Sequence, residues 1–533
     1  MKKTILSLQF IALSFAINAQ TVQDGIKALD NERFVQAEGI FKNLVGTTNA
    51  EAAYYLGKLY YSQGKFDQAK SSFEKGVSIN AKFPSNYAGL GLLLLDNGKP
   101  EEARKQFDIA FACISSKDPK AGILVGEAYT ISKKNDLTQA VTYLTKAANL
   151  DKKNYDAQIA LGDAYVQKPD GGGPAMTAYE TAMAIDPAKP LGYLRKGDLF
   201  FKAKNYELSI EAYKQGRDKD STFAPIHRDL GEIYYLAKRY DLAVKSYEKF
   251  LTLTEPTLEY RTRMAYFYFF NKQYDKATDL INKLKAEDPN NNILNRLLGY
   301  GFVEQAKYPE AITYLTEFFK KAEPAKILTS DYEYLGKAYL KGGNDSLAEI
   351  NILKTVQLDS SKADLLMDMG KSYQEKKKYI KAAAMYQLKT TYPKVKSTDW
   401  FKLGQAFYFG YQGAKTDTSM LYKADTAFMK VVEMTPTVHL GYNWRAMTNS
   451  LIDAKGKTFA AKPYYEKVIE ICSVDKVKFA KELLQAYKYI GYAYIQKDDN
   501  ALAKEYYTKA LEVNPEDADA KKNLELINSQ KKK

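Results

Sequence analysis

Apolar and polar positions along this chain repeat on two scales. Within a stretch such as "YRTRMAYFYFFNKQYDKA", Tyr260 to Ala277, large apolar residues recur every three or four positions, the spacing that puts side chains on one face of a helix. Over longer distances the same arrangement returns at about 34 residues. A small residue marks the column: Gly57, Gly91, Gly126, Gly162, Gly197, Gly231, Ala265, Gly299, Gly336, Gly370 and Gly404. One position earlier stands Leu or Met, as in Leu56, Leu161, Leu230, Met264, Leu335 and Met369. Three positions later stands Tyr or Phe, as in Tyr60, Tyr129, Phe200, Tyr234, Tyr268, Tyr373 and Phe407. About twelve residues past the small one comes alanine (Ala69, Ala103, Ala243, Ala277, Ala311, Ala348, Ala382), and four further on a large residue such as Phe73, Phe107, Tyr247 or Tyr386. Proline often closes the unit, at Pro187, Pro289, Pro436 and Pro515.

A fixed period of this length is the mark of a repeat architecture built from one helical hairpin per unit. The small residue and the later alanine let two helices approach, and the aromatics fill the space between neighbours. On this reading "YFYFF" is helix–helix core, with Phe269 set apart because its register also points to the inner face. A single hairpin cannot bury its apolar side, so the units stack.

The pattern Leu-Gly-x-x-Tyr, then Ala-x-x-x-Phe, then Pro, seen intact in "YYLGKLYYSQGKFDQAKSSFEKG", resembles the tetratricopeptide repeat (TPR) family. The resemblance spans about residues 22–515 in roughly thirteen units. It implies an all-α, right-handed superhelical TPR solenoid with a concave channel. The sequence divides into a signal peptide at 1–19, a regular array at 20–395, an array with longer insertions at 396–515, and a capping helix with a basic tail at 516–533. The insertions fall at 409–423 and 453–485.

At the N-terminus Lys2 and Lys3 precede "ILSLQFIALSFAI", a short apolar run, and "INAQ" offers a cut after Ala19. That is the form of a secretory signal, and the run falls short of the roughly 20 residues that span a bilayer. The expected location is the periplasm, with outer-membrane association as a variant of it. The 533 residues are 45% hydrophobic and 27% charged, with a formal charge of +14, the composition of a folded soluble chain with a modest basic excess. Two cysteines, Cys113 and Cys472, are read as separate thiols rather than a disulfide framework.

Catalytic constellations are missing. Only His227 and His439 are present, no G-x-S-x-G elbow appears, and "QKPDGGGPAM" (167–176) lacks the Lys-Ser/Thr of a phosphate loop. No enzyme, no cofactor and no metal site is expected.

Binding residues are expected where the family places them, on a stripe of each first helix facing the channel. Arginine falls on or beside that stripe in four successive units, at Arg195, Arg228, Arg263 and Arg296. Phe201, Tyr235 and Phe269 accompany them, with Tyr266 and Tyr300 in the register that holds Asp198 and Glu232 in the two preceding units. Two readings stand side by side. In one the arginines form a ladder for the carboxylates of an extended, acidic partner. In the other they pair with Asp and Glu of neighbouring helices. The resemblance implies binding of protein or extended peptide in the groove; with the N-terminal signal it points to a non-enzymatic envelope scaffold or adaptor, with no nucleic acid and, since no later stretch is apolar for long enough, no membrane span after signal cleavage. The alternative is an outer-membrane-associated glycan- or nutrient-binding accessory protein using aromatics near Tyr408, Tyr411 and Tyr422.

Overall fold

In the computed structural model, which describes residues 20–414 and 417–530, twenty-nine α-helices pair into fourteen hairpins, with helix Ala518–Gln530 left over at the C-terminal end. No strand occurs among the described residues. The predicted signal segment lies outside them. The sequence reading put roughly thirteen units over 22–515, where the structure has fourteen hairpins; the first, Val22–Asp30 with Phe34–Gly46, has a first helix of only nine residues and lacks the Leu-Gly-x-x-Tyr signature.

Each hairpin follows from its sequence. In the second, helix Ala50–Ser62 runs into a three-residue turn and returns as Phe66–Ile79. A Cβ built on Gly57 would lie 2.3 Å from the Phe73 ring, so glycine is what allows that ring to seat on the first helix. Gly197 and Tyr213 stand in the same relation at 2.2 Å. The alanine column of the second helices is buried throughout, from Ala69 to Ala503. The middle residue of the turn is left-handed, and glycine supplies it at Gly64 and Gly98. Lys204, Lys238 and Lys272 hold the same position at φ near +60°.

The chain divides into two compact units, Met1–Pro289 and Asn290–Lys533. Within the first, the first helices of successive hairpins touch one another from Val22–Asp30 through Ala224–Leu236, whereas the second helices meet one another weakly or not at all. Crowding on one side and splay on the other curve the stack, with the first helices inside. Within the second unit the insertion at 409–423 is taken up largely as helix. Ser397–Ala414 and Ser419–Met434 run to 18 and 16 residues where 13 or 14 is usual. Loop 453–461 is tied by the Asp453 carboxylate, which accepts from the Lys457 and Thr458 amides at 2.9 Å. Loop 473–479 leaves Val474 and Val477 exposed.

Candidate inner-face binding site

Arg195, Arg228 and Arg263 stand on successive first helices of the first unit: Pro190–Lys202, Ala224–Leu236 and Leu258–Phe270. Each has a carboxylate. Arg195 Nε lies 2.9 Å from Asp163 of the preceding hairpin, and its Nη1 lies 3.5 Å from Asp198. Arg263 takes Glu232 of its preceding hairpin with Nε, at 2.8 Å, and Nη2. Arg228 donates from Nε to Asp229 at 2.8 Å and from Nη1 to Glu32, which comes from the turn of the first hairpin. An arginine thus reaches back to an acid one repeat earlier at Arg195 and Arg263, tying successive first helices together.

The acids are held from their own hairpins as well. Tyr179 donates to Asp163 and Tyr213 to Asp198, both at 2.7 Å. Burial first, and then the neighbouring carboxylate, pushes both phenols far above their ordinary range, so they remain donors. Asp198 is itself raised, by burial and by the like charge of Asp229. Arg228 is held in its charged form against the cost of burial by Asp229 and Glu32.

The stripe is therefore a chain of ion pairs in which Asp163, Asp198, Asp229, Glu232 and Glu32 face three guanidiniums. The second of the two sequence readings describes this geometry. The guanidiniums are not sealed off: their side chains keep 35%, 32% and 33% of their exposure. Such groups have donors left for a carbonyl or carboxylate arriving from the channel. Phe201 is 38% exposed on the helix that carries Arg195, its ring 6.1 Å from Tyr206, and Tyr266 is half-buried. Tyr235 is half-buried beneath the Arg263 guanidinium, 4.8 Å from its ring centre, and stacks on Phe267 at 5.3 Å.

Three of the expected site residues lie elsewhere. Phe269 is buried, with Phe270 and Tyr274 against its ring, so it belongs to the core after all. Arg296 and Tyr300 of helix Asn292–Glu304 are buried in the second unit around Asp331. Arg296 donates to Asp331 at 2.8 and 2.9 Å, and Tyr300 at 2.6 Å, while Arg296 lies 4.4 Å above the Phe318 ring. A 37-residue spacing, with the short 3-10 helix Pro324–Lys326, brings Asp331 under Arg296 in place of solvent.

Asp163 could have been found, since it follows Gly162 in the register of Asp198 and Glu232. Glu32 could not, because no periodic relation joins it to Arg228. In the second unit Arg445 was missed because its hairpin falls in the irregular region. It donates to both oxygens of Asp425 at 2.9 Å and to Tyr464 at 2.8 Å. Tyr408, expected at the surface, is buried with its ring 5.3 Å from Trp444; Tyr411 is partly exposed and Tyr422 is 60% exposed.

His227 is buried against the Ser221 carbonyl at 3.0 Å, and burial lowers its pKa, so it serves packing. Both cysteines are free thiols. Among the described residues, no group of three or more His, Cys, Asp or Glu is placed to hold a metal ion, and no helix is long and apolar enough to cross a membrane.

Models of the tetratricopeptide repeat match residues 50–83, 194–256 and 485–517. The C-terminal part of a TPR repeat-containing protein from Cytophaga hutchinsonii is 32% identical, over 49% of this chain and 99% of that one, with a TM-score of 0.38. A CTR9 homolog from Arabidopsis thaliana is 24% identical over 179 residues, 32% of this chain. Anaphase-promoting complex subunit 3 from Schizosaccharomyces pombe is 23% identical over 167 residues, 31% of this chain. The chain spans 16% and 24% of the length of these two relatives. The repeat stack is a scaffold suited to binding other proteins. With repeat models of one family matching in three places along it, the chain belongs to the tetratricopeptide repeat family.

Proposed function

We propose that the protein is a non-enzymatic scaffold of the cell envelope that holds protein partners along the inner face of its first unit. The observation that carries this is the row of arginines on successive first helices, each about a third exposed, fixed by neighbouring acids but with donors left over. Fixed donors at repeat spacing suit an extended peptide, whose carbonyls and carboxylates recur along its length. Weak contacts on several repeats then add up. The acids in the row make it polar rather than simply basic, so an acidic partner binds by exchanging for a resident carboxylate. Periplasmic location rests on the Lys-Lys and apolar N-terminal sequence alone.

The test is affinity capture of the tagged chain from crosslinked cells of its native host, beside the variant Phe201→Glu. Phe201 is exposed and outside the ion-pair chain, so the variant alters the inner face without unlocking the fold. Loss of a defined envelope protein with unchanged helicity supports the reading. Equal capture by both chains refutes the inner-face site. Protease protection in whole cells against spheroplasts tests the location.

The alternative, a glycan- or nutrient-binding accessory role, is favoured by one observation, the exposed Tyr422 on the long helix Ser419–Met434. Glycan-array binding that vanishes in Tyr422→Ala would favour it.

A further inference from the structure

The first hairpin of the first unit does more than begin the stack. Its turn, Asn31 to Arg33, meets residues about 200 positions later, where the curved stack comes round to it. Asn31 Oδ1 accepts from the Ala224 amide at 2.7 Å, capping helix Ala224–Leu236, which has no side-chain cap of its own. Arg33 Nε donates to the Leu253 carbonyl at 2.6 Å, at the C-terminal end of Tyr240–Leu253. Between them the Glu32 carboxylate accepts from Arg228 and from the Tyr260 hydroxyl, the latter at 2.6 Å. The Glu32 carbonyl accepts from Thr254 at 3.2 Å. In return Glu255 caps helix Phe34–Gly46, accepting from the Val35 and Gln36 amides at 2.9 and 2.8 Å.

This contact differs in kind from the contacts between adjacent repeats. It is polar and directional, and the core clusters on its two sides share no residue. Its hydrogen bonds go to helix ends and a guanidinium, groups that a short peptide turn can satisfy equally well. Glu32 sits in the left-handed region, φ +58°, a conformation that a glutamate adopts at a cost.

We infer that Arg228, Tyr260 and the helix ends at Ala224 and Leu253 form a receptor for an Asn-Glu-Arg type turn, an acidic side chain flanked by a capping amide and a cation. The chain's own turn at 31–33 is its resident occupant. It closes the first unit on itself, and it must leave before the matching turn of a partner can enter. The cis occupant acts at the high effective concentration set by its tether, so it excludes weak ligands and admits strong ones.

The test uses the full chain and a fluorescent peptide of residues 28–38, ALDNERFVQAE. The variant Asn31→Ala/Glu32→Ala/Arg33→Ala removes the resident turn's side-chain bonds to the receptor and leaves the receptor's own residues intact. It is expected to bind the peptide about ten- to a hundredfold more tightly than the parent chain, the range for hydrogen bonds to charged groups. Adding Arg228→Gln returns binding to the parent level, while adding Arg195→Gln does not. Equal peptide binding by parent and vacated chains, or binding indifferent to Arg228→Gln, overturns the inference. Spin labels at Val35→Cys and Glu259→Cys, both exposed, in a Cys113→Ser background give a second readout that needs no peptide. The parent should show a single short distance and Arg228→Gln a longer population; identical distributions overturn the closure. Loss of peptide binding would leave the scaffold reading standing, since that reading is decided by partner capture.

Discussion

Lys389 Nζ lies 3.4 Å from the Asp399 carboxylate, and the two side chains keep only 2% and 5% of their exposure. Helix Tyr379–Lys389 ends on this lysine, and the first turn of Ser397–Ala414 carries the aspartate, which also accepts from the Lys396 amide at 3.0 Å. The pair joins two successive hairpins of the second unit, and Lys389 Nζ also lies 3.4 Å from the exposed Asp364.

Removing one partner of such a pair strands the other charge. Lys389→Ala is expected to cost about 3–5 kcal/mol, and Lys389→Met combined with Asp399→Asn much less, because neither residue is then charged. A long repeat array does not unfold as one unit, so a global midpoint would blur the effect. Hydrogen exchange in these two helices is the measurement, and equal protection in the single and double variants would count against the pair.

The four arginines of the repeat register should respond unequally to alanine. Arg296 holds the wholly buried Asp331, so Arg296→Ala is expected to cost about 3–5 kcal/mol by leaving that carboxylate unpaired. Arg195, a third exposed, pairs with partly hydrated acids, and Arg195→Ala should cost about 1 kcal/mol or less. Urea unfolding followed by helicity and by exchange would rank the two. A similar loss at both positions would contradict the burial difference.

At the turns the chain departs from its own best choice. Lys238 occupies the left-handed position at φ +60° that glycine fills at Gly64. Lys238→Gly removes the clash between Cβ and the backbone but frees the unfolded chain, so the net gain is expected to be about 0.5–1 kcal/mol. The same change at Lys245, inside helix Tyr240–Leu253, should instead destabilise by about 1 kcal/mol. Thermal melts of the two variants against the parent would test the contrast.

How much of this could be read from the sequence depends on distance along the chain. The Gly57–Phe73 contact was legible because both residues belong to columns that recur every 34 positions, and so was the row holding Arg195, Arg228 and Arg263. What those arginines touch was not. Register locates a side chain on a helix but does not say whether the neighbouring acid or solvent takes it. Arg296 shows the limit: one lengthened unit moved Asp331 beneath it and turned a channel position into core. The closure by Glu32 was out of reach, because it depends on the accumulated curvature of six hairpins and on no local pattern.

Two aspartates predict opposite responses to pH. In Asp345, burial alone would favour the neutral acid, but hydrogen bonds from Lys376 and Lys378 outweigh it and hold the pKa below the ordinary 3.8. The folded state then binds fewer protons than the unfolded one, so the contribution of Asp345 is complete above about pH 4 and is lost as pH falls through its folded value. In Asp198, burial and Asp229 raise the pKa above 3.8, and the sign reverses. Here the folded state holds the proton more tightly, so stability declines as pH rises from about 4 through the raised value. Asp345→Asn should therefore lose stability at neutral pH and converge on the parent in acid. Asp198→Asn should match or exceed the parent at neutral pH on this ionisation alone, offset by whatever Arg195 loses when its partner becomes neutral. Hydrogen exchange of helices Asp345–Leu358 and Pro190–Lys202, measured across pH 3–7 and corrected for intrinsic rates, separates the two. Parallel curves for both variants would contradict the assigned directions.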